Sequence, residues 1–182
     1  MTIRKLVLGA ARSGKTNHAI LLAQSLSSKP GREVVYVATA QALDPEMTRR
    51  IQLHRAERPD SWTTVEAPKE LAQALQSLGD ETIVIVDCLT LWLSNVMLKD
   101  FSEANPTEPL PSWQRERSAF LQWLNEFRGT AFLVTNEVGA GIVPMSALSR
   151  RFQDEQGRLN QAVAAICDTV TLVVAGIAVP IK

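Results

Sequence analysis

Near the start of the chain, Gly9-Ala10-Ala11-Arg12-Ser13-Gly14-Lys15-Thr16 follows the spacing G-x-x-x-x-G-K-[ST]. Glycines let backbone N–H groups crowd around phosphate oxygens, the lysine reaches the β and γ phosphates, and the hydroxyl ligates Mg²⁺. A helix opening directly after the loop adds its free N–H groups and dipole. The chemistry this predicts is binding of a nucleoside triphosphate, with Lys15 stabilising charge that develops on the phosphates during transfer. The plainer reading is a small-residue turn, but an apolar strand before the motif and an amphipathic helix after it supply the setting that phosphate binding demands.

Such a site needs a carboxylate at the end of a buried strand. Asp87 closes the run Ile83-Val84-Ile85-Val86-Asp87, and at the C-terminal end of a strand it faces the ligand crevice of an open α/β sheet. Thr16 and Asp87 are therefore the expected metal ligands, the plainer role of Asp87 being to cap the next helix. Glu137, just past Phe132-Leu133-Val134-Thr135-Asn136, ends another strand and is the alternative for positioning metal or water.

Between Arg49 and Arg58 lie four arginines and one glutamate, together with His54. A helix over Asp44–Arg58 places Arg50, His54 and Arg58 on one face. A neutral imidazole nitrogen attacks phosphorus, and guanidiniums hold phosphate oxygens two at a time. The plainer reading is a solvated basic face. His18, in the first turn after the phosphate loop, reads as structural or surface-exposed.

The elements that must carry these residues alternate. Strands are expected at Ile3–Leu8, Glu33–Ala38, Thr63–Glu66, Thr82–Asp87, Ala131–Thr135, Thr169–Ala175 and Ala178–Ile181. Several are Val- and Ile-rich without polar alternation, as in strands buried on both faces of a parallel sheet. Helices are expected at Lys15–Ser27, Asp44–Arg58, Pro68–Leu78, Leu91–Lys99, Ser112–Phe127 and Ala147–Ile166. Pro68 suits a first helical turn, and Gly79 and Gly129 suit positions past helix ends. The fold class is α/β, a mostly parallel central sheet with helices on both faces. Asp100–Pro111, with three prolines, reads as a surface loop inside one domain spanning 1–182.

Composition narrows the setting. Lys plus Arg and Asp plus Glu are both 19, so the formal net charge is zero, which argues against non-specific binding to nucleic acid or anionic membranes. Any anion site must be built locally. The two cysteines, Cys88 and Cys167, form no CxxC pair, so a disulfide framework or cysteine zinc site is not expected. The apolar stretch Leu6-Val7-Leu8 is too short for a signal or spanning segment. These features read as a soluble, cytoplasmic protein without stable membrane insertion. A small-molecule kinase, a kinase with nucleotidyl transfer and a nucleotide-gated regulatory protein all fit at this point.

A wider set of segments decides among them: GAARSGKT at 9–16, YVATA at 36–40, DPEMTRRIQLHRAER at 44–58, WTTVE at 62–66, DCLTLWL at 87–93, TNEVGAGIVP at 135–144 and RRFQDEQGRLNQ at 150–161. In this order they resemble the bifunctional adenosylcobinamide kinase / adenosylcobinamide-phosphate guanylyltransferase family of cobalamin biosynthesis. Ala10 stands where the family often has a second glycine, and Asp87 where some members carry glutamate. The resemblance implies a RecA-like P-loop NTPase fold and phosphorylation of adenosylcobinamide with ATP or GTP. It further implies transfer of GMP from GTP to adenosylcobinamide phosphate through a guanylylated His54. It also implies Mg²⁺, a homotrimer, and guanine-nucleotide contacts at Ala38, Thr39, Ala40, Arg55, Ala56, Glu57, Arg58, Glu66 and Asp87. Glu66 is the expected acceptor for the guanine N1 and N2 groups. No motif marks a corrinoid surface. Trp62, Trp92, Trp113 and Trp123 are candidates, though tryptophans on helices and strands more often pack in the core.

Overall fold

The computed structural model describes residues 2–27 and 32–182. Seven strands form one sheet: β1 Ile3–Gly9, β2 Val34–Ala38, β3 Thr63–Glu66, β4 Ile83–Asp87, β5 Thr130–Asn136, β6 Thr169–Val174 and β7 Ile177–Pro180. Their order is β3-β2-β4-β5-β1-β6-β7. All pairings are parallel except that of β6 with β7. The strand ahead of the phosphate loop (β1) is thus separated from the one ending in Asp87 (β4) by β5, as in RecA-like P-loop proteins.

Burial follows from the apolar runs. Ile83, Val84, Ile85 and Val86 are each 0% exposed, so this strand is covered on both sides. The two-residue period of a strand sorts them. Val84 and Val86 join Leu6, Val37 and Leu133 in a core shared with Leu71, Trp92, Trp113 and Leu159. These last four come from α3 Leu71–Gln76, α4 Leu89–Asp100, α5 Pro111–Glu126 and α6 Ala147–Ile166. Ile83 and Ile85 point the other way, joining Val7, Tyr36, Phe132 and Val134 against Ala19, Ile20 and Ala23 of α1 Lys15–Ser27. The helix α2 Pro45–Ala56 buries none of its residues.

Several boundaries differ from the sequence expectation for local reasons. Asp44 is the N-cap of α2, its Oδ1 accepting from Met47 N at 2.7 Å. The helix stops at Ala56, so Arg58 lies beyond it and does not extend the Arg50–His54 face. Pro68 falls before the N-cap Glu70 of α3, not in its first turn. Asp100 belongs to α4, and its Oδ2 accepts from Ser112 N at 2.6 Å, so one carboxylate closes the proline-rich loop and caps α5. Trp92, Trp113 and Trp123 are core: Trp92 meets Trp113 and Phe120 edge-on, with centroids 5.0 and 5.1 Å apart. Each such contact contributes about 1 kcal/mol beyond its area. Trp62 is half-buried against the α1-side cluster. No described helix is long and apolar enough to cross a membrane.

Candidate active site

The phosphate loop leaves β1 at Gly9 because no side chain fits there: a Cβ would overlap Ser13 Oγ and come within 2.8 Å of Val173 O. Gly14 has φ +94, a left-handed conformation that glycine adopts without strain. Arg12 takes the same region, at φ 57, and its side chain is exposed. Ser13 N donates to Ala10 O at 3.2 Å, and Gly176 N, from the β6–β7 turn, donates to Ser13 O at 2.9 Å. The hairpin tip therefore braces the loop from outside. Ala10 and Ala11 are exposed on its rim.

Lys15 is 9% exposed and its Nζ donates to Ala10 O at 3.0 Å. Burial draws its pKa below that of an ordinary lysine; Cys88 and Asp87 oppose this, and Arg50 of α2 adds to it. The influence of Arg50 places the basic helix within electrostatic reach of the phosphate loop.

Strand periodicity puts Asp87 on the same side as Ile83 and Ile85, the side of α1. Its Oδ2 accepts from Thr16 Oγ1 at 3.1 Å and from the Tyr36 hydroxyl. Asp87 does not cap α4; that position belongs to Cys88, whose Sγ accepts from Leu91 N at 3.5 Å. The carboxylate is thereby left to the crevice. The Asp87–Cys88 peptide bond is cis. Thr39 is 0% exposed, and its hydroxyl donates to Cys88 O at 2.7 Å and accepts from Cys88 N at 2.8 Å. Its side chain is spent on this junction, and so is its backbone: Thr39 N donates to Asp87 O at 3.1 Å, and Asn95 Nδ2 donates to Thr39 O at 2.8 Å. The Cys88 thiol is pushed up to about 12, by burial first and by Asp87 second.

Hard oxygen donors at Thr16 and Asp87 suit Mg²⁺, which binds one or two carboxylates and completes its shell with water and substrate phosphates. Among the described residues no group of three or more His, Cys, Asp or Glu comes together as a metal cage. Glu137 sits beside the loop through Glu137 N donating to Gly9 O at 3.3 Å. Its Oε1 turns back to accept from Gly139 N at 2.8 Å. Of the two candidates, Asp87 is the one bonded to Thr16.

The end of β5, between β1 and β4, is held by buried amides and hydroxyls. Thr90 Oγ1 accepts from Asn136 N at 2.8 Å, and Asn160 Nδ2 donates to Asn136 O at 3.1 Å. Farther along the same edge, Glu66 pairs in register with Ala38, which pairs with Asp87. Glu66 is exposed and lines a groove of about 270 Å³ with Pro68, Lys69 and Gln73.

His54 is half-exposed on α2, and Glu57 Oε2 lies 3.3 Å from its Nδ1. Arg50, Arg55, Ala56 and Glu57 are exposed. Arg58 instead turns inward, its Cζ 3.4 Å from the centroid of the Tyr36 ring. His18 is half-buried, and burial, followed by Lys5, lowers its pKa. No spacing in the sequence assigns Tyr36 a role at the site. The available signal was the chain's only tyrosine standing among valines, because a phenol buried in a strand needs a hydrogen-bond partner.

The family model for cobinamide kinase / cobinamide phosphate guanyltransferase matches residues 5–181 of this chain. The bifunctional adenosylcobalamin biosynthesis protein CobP of Pseudomonas aeruginosa is 46% identical over 181 residues, 99% of this chain and 98% of that protein. The bifunctional adenosylcobalamin biosynthesis proteins CobU of Escherichia coli and Salmonella typhimurium are each 39% identical over 183 residues, covering 97% of this chain and 98% of theirs.

Proposed function

From the premise that the chain belongs to the cobinamide kinase / cobinamide phosphate guanyltransferase family, we propose how its residues divide the two reactions. The enzyme phosphorylates cobinamide and guanylylates the product in adenosylcobalamin biosynthesis. The triphosphate lies in the loop Gly9–Thr16, with Lys15 on the β and γ phosphates. Thr16 and Asp87 hold Mg²⁺, which supplies charge neutralisation on the phosphate oxygens when bound. In the kinase step the aminopropanol hydroxyl of adenosylcobinamide attacks the γ-phosphorus of ATP or GTP. The bond to the β-γ bridging oxygen breaks, the nucleoside diphosphate leaves, and the hydroxyl proton is released.

In the transferase step His54 attacks the α-phosphorus of GTP and expels pyrophosphate. Glu57 stands against Nδ1, leaving Nε2 as the open nucleophile. A phosphate oxygen of adenosylcobinamide phosphate then attacks the same phosphorus and breaks the P–N bond. The products are adenosyl-GDP-cobinamide and free imidazole. Lys15 stabilises the leaving phosphates whichever bond breaks. Arg55, Ala56, Glu57 and Arg58 contact the guanine nucleotide, and Glu66 accepts from the guanine N1 and N2 groups. One domain in the cytoplasm carries both activities. A homotrimer is the proposed assembly, supported by the exposed apolar residues Ile177, Val179 and Ile181 at the sheet edge and tested by the mass in solution.

The observation that carries this reading is the Thr16–Asp87 bond at the phosphate loop with an accessible histidine on the neighbouring basic helix. The experiment offers α-labelled GTP and α-labelled ATP to wild type, His54→Ala and Glu66→Gln. Wild type should take acid-labile, base-stable label from GTP, and His54→Ala none. Glu66→Gln should narrow the preference for GTP over ATP. Label persisting in His54→Ala removes the histidine assignment, and an unchanged preference removes the base-reading role of Glu66.

A further inference from the structure

We propose that Tyr36 is a positioning residue that ties the metal-binding carboxylate to the base of the arm carrying His54. The inference rests on the roles proposed above for Asp87 and His54. Tyr36 is 1% exposed on β2, and its hydroxyl donates to Asp87 Oδ2, the oxygen that also accepts from Thr16 Oγ1. Two donors on one oxygen hold the carboxylate against rotation. Oδ1 accepts no hydrogen bond from the described residues and is left for the crevice.

The ring of Tyr36 does a second job. Arg58, directly after the C-cap of α2, seats its guanidinium over the ring face at 3.4 Å from the centroid. Because α2 buries none of its residues, this cation–π contact is one of few that fasten the arm to the sheet. One side chain therefore sets the position of Asp87 through its hydroxyl and of the arm through its ring. A phenylalanine would fill the same core space and keep the ring face, which separates the two roles.

The first test is calorimetric binding of a non-hydrolysable GTP analogue, in Mg²⁺ and in EDTA. It compares wild type, Tyr36→Phe, Asp87→Asn and the double variant. Tyr36→Phe should keep its EDTA affinity and lose about tenfold of the Mg²⁺-dependent gain, the scale of one hydrogen bond to a charged group. Added to Asp87→Asn it should cost nothing more, since residues acting through one contact are not additive. A wild-type gain in Tyr36→Phe, or an additive loss in the double variant, overturns the positioning role. An Asp87→Asn protein with the full Mg²⁺ gain removes the reading of Asp87 itself.

The second test is the rate of labelling of His54 by α-labelled GTP at saturating Mg²⁺ and nucleotide. Tyr36→Leu should label several-fold more slowly than Tyr36→Phe, as loss of a cation–π seat predicts. Tyr36→Met replaces Tyr36→Leu if thermal unfolding shows the latter unfolded. Equal rates in the aromatic and aliphatic variants overturn the ring's role. Absence of label in wild type removes the His54 reading instead.

Discussion

Around Lys15 and Asp87 the chain is pinned on every side. Val86 and Val134 are 0% exposed, the loop is braced by Gly176, and Asp87 is held by Thr16 and Tyr36. The helix bearing His54 stands in contrast. It has 12 residues, none buried, and an isolated helix of that length is marginal in water. Its support is local: Asp44 at the N-cap, Pro45 and Glu46 in the first turn, Arg55 in the last, and the Arg58–Tyr36 stack. A triphosphate cradle benefits from preorganised dipoles that need no rearrangement during reaction. On the proposed mechanism, a nucleophile that must approach an α-phosphorus and later present it to a bulky acceptor gains from an element whose displacement breaks few buried contacts.

The largest effect should come from Lys15→Ala. Loss of one preorganised donor at the transferring phosphates should lower kinase turnover about 10²–10³-fold, roughly 3–4 kcal/mol, and slow labelling of His54 to a similar degree. Phosphoryl transfer and label uptake are measured side by side. Undiminished labelling would show that the arm draws its triphosphate from somewhere other than this loop.

Asp44→Ala addresses the arm alone. Removing an N-cap costs about 1 kcal/mol, which should speed amide exchange of α2 roughly fivefold and slow labelling, with the global melting temperature unchanged. A melting temperature that falls in step would mean the arm is part of the cooperative core, and the contrast between the two regions would collapse.

The smallest effect concerns the thiols. Burial pushes both Cys88 and Cys167 up to about 12 from an ordinary 9.0. A pKa raised in the folded state adds stability that is complete below about pH 9 and is lost as pH rises toward 12. The urea midpoint should therefore fall across that window, and less steeply in Cys167→Ala. At pH 8.5 neither thiol of the native protein should react with a disulfide reagent. Rapid modification of Cys88 would show that the junction between β4 and α4 opens as readily as the arm.

Much of this was legible in the residues. Ile83-Val84-Ile85-Val86 announced a strand covered on both faces, and its alternation already put Asp87 on one definite side. Gly9 and Gly14 announced a backbone that needs glycine, which passes where no Cβ fits at Gly9 and turns left-handed at Gly14. Asp44 followed by Pro45 announced a helix start, although α2 ends at Ala56, two residues short of the expected Arg58. The partner of His54 was not legible: spacing pointed to Arg50 and Arg58, but Glu57 is the charged group beside it, because the helix ends before Arg58 can join the face. Nor was Pro68 informative, since it precedes a helix whose cap comes later.

The sequence by itself determined the alternation of strands and helices, the glycine-containing loop after β1 and the carboxylate that closes β4. All of these depend on periodicity or on contacts between near neighbours. Tertiary structure decided which distant residues share a bond: Thr16 with Asp87, Asp87 with Tyr36, Tyr36 with Arg58, and Thr39 with the backbone of Cys88. Those pairings follow from strand order and register, in which β2 and β4 lie side by side while β1 and β4 are separated by β5. Many strand orders satisfy the same local periodicities. Only packing of the whole core selects this one, and with it the neighbours of each side chain.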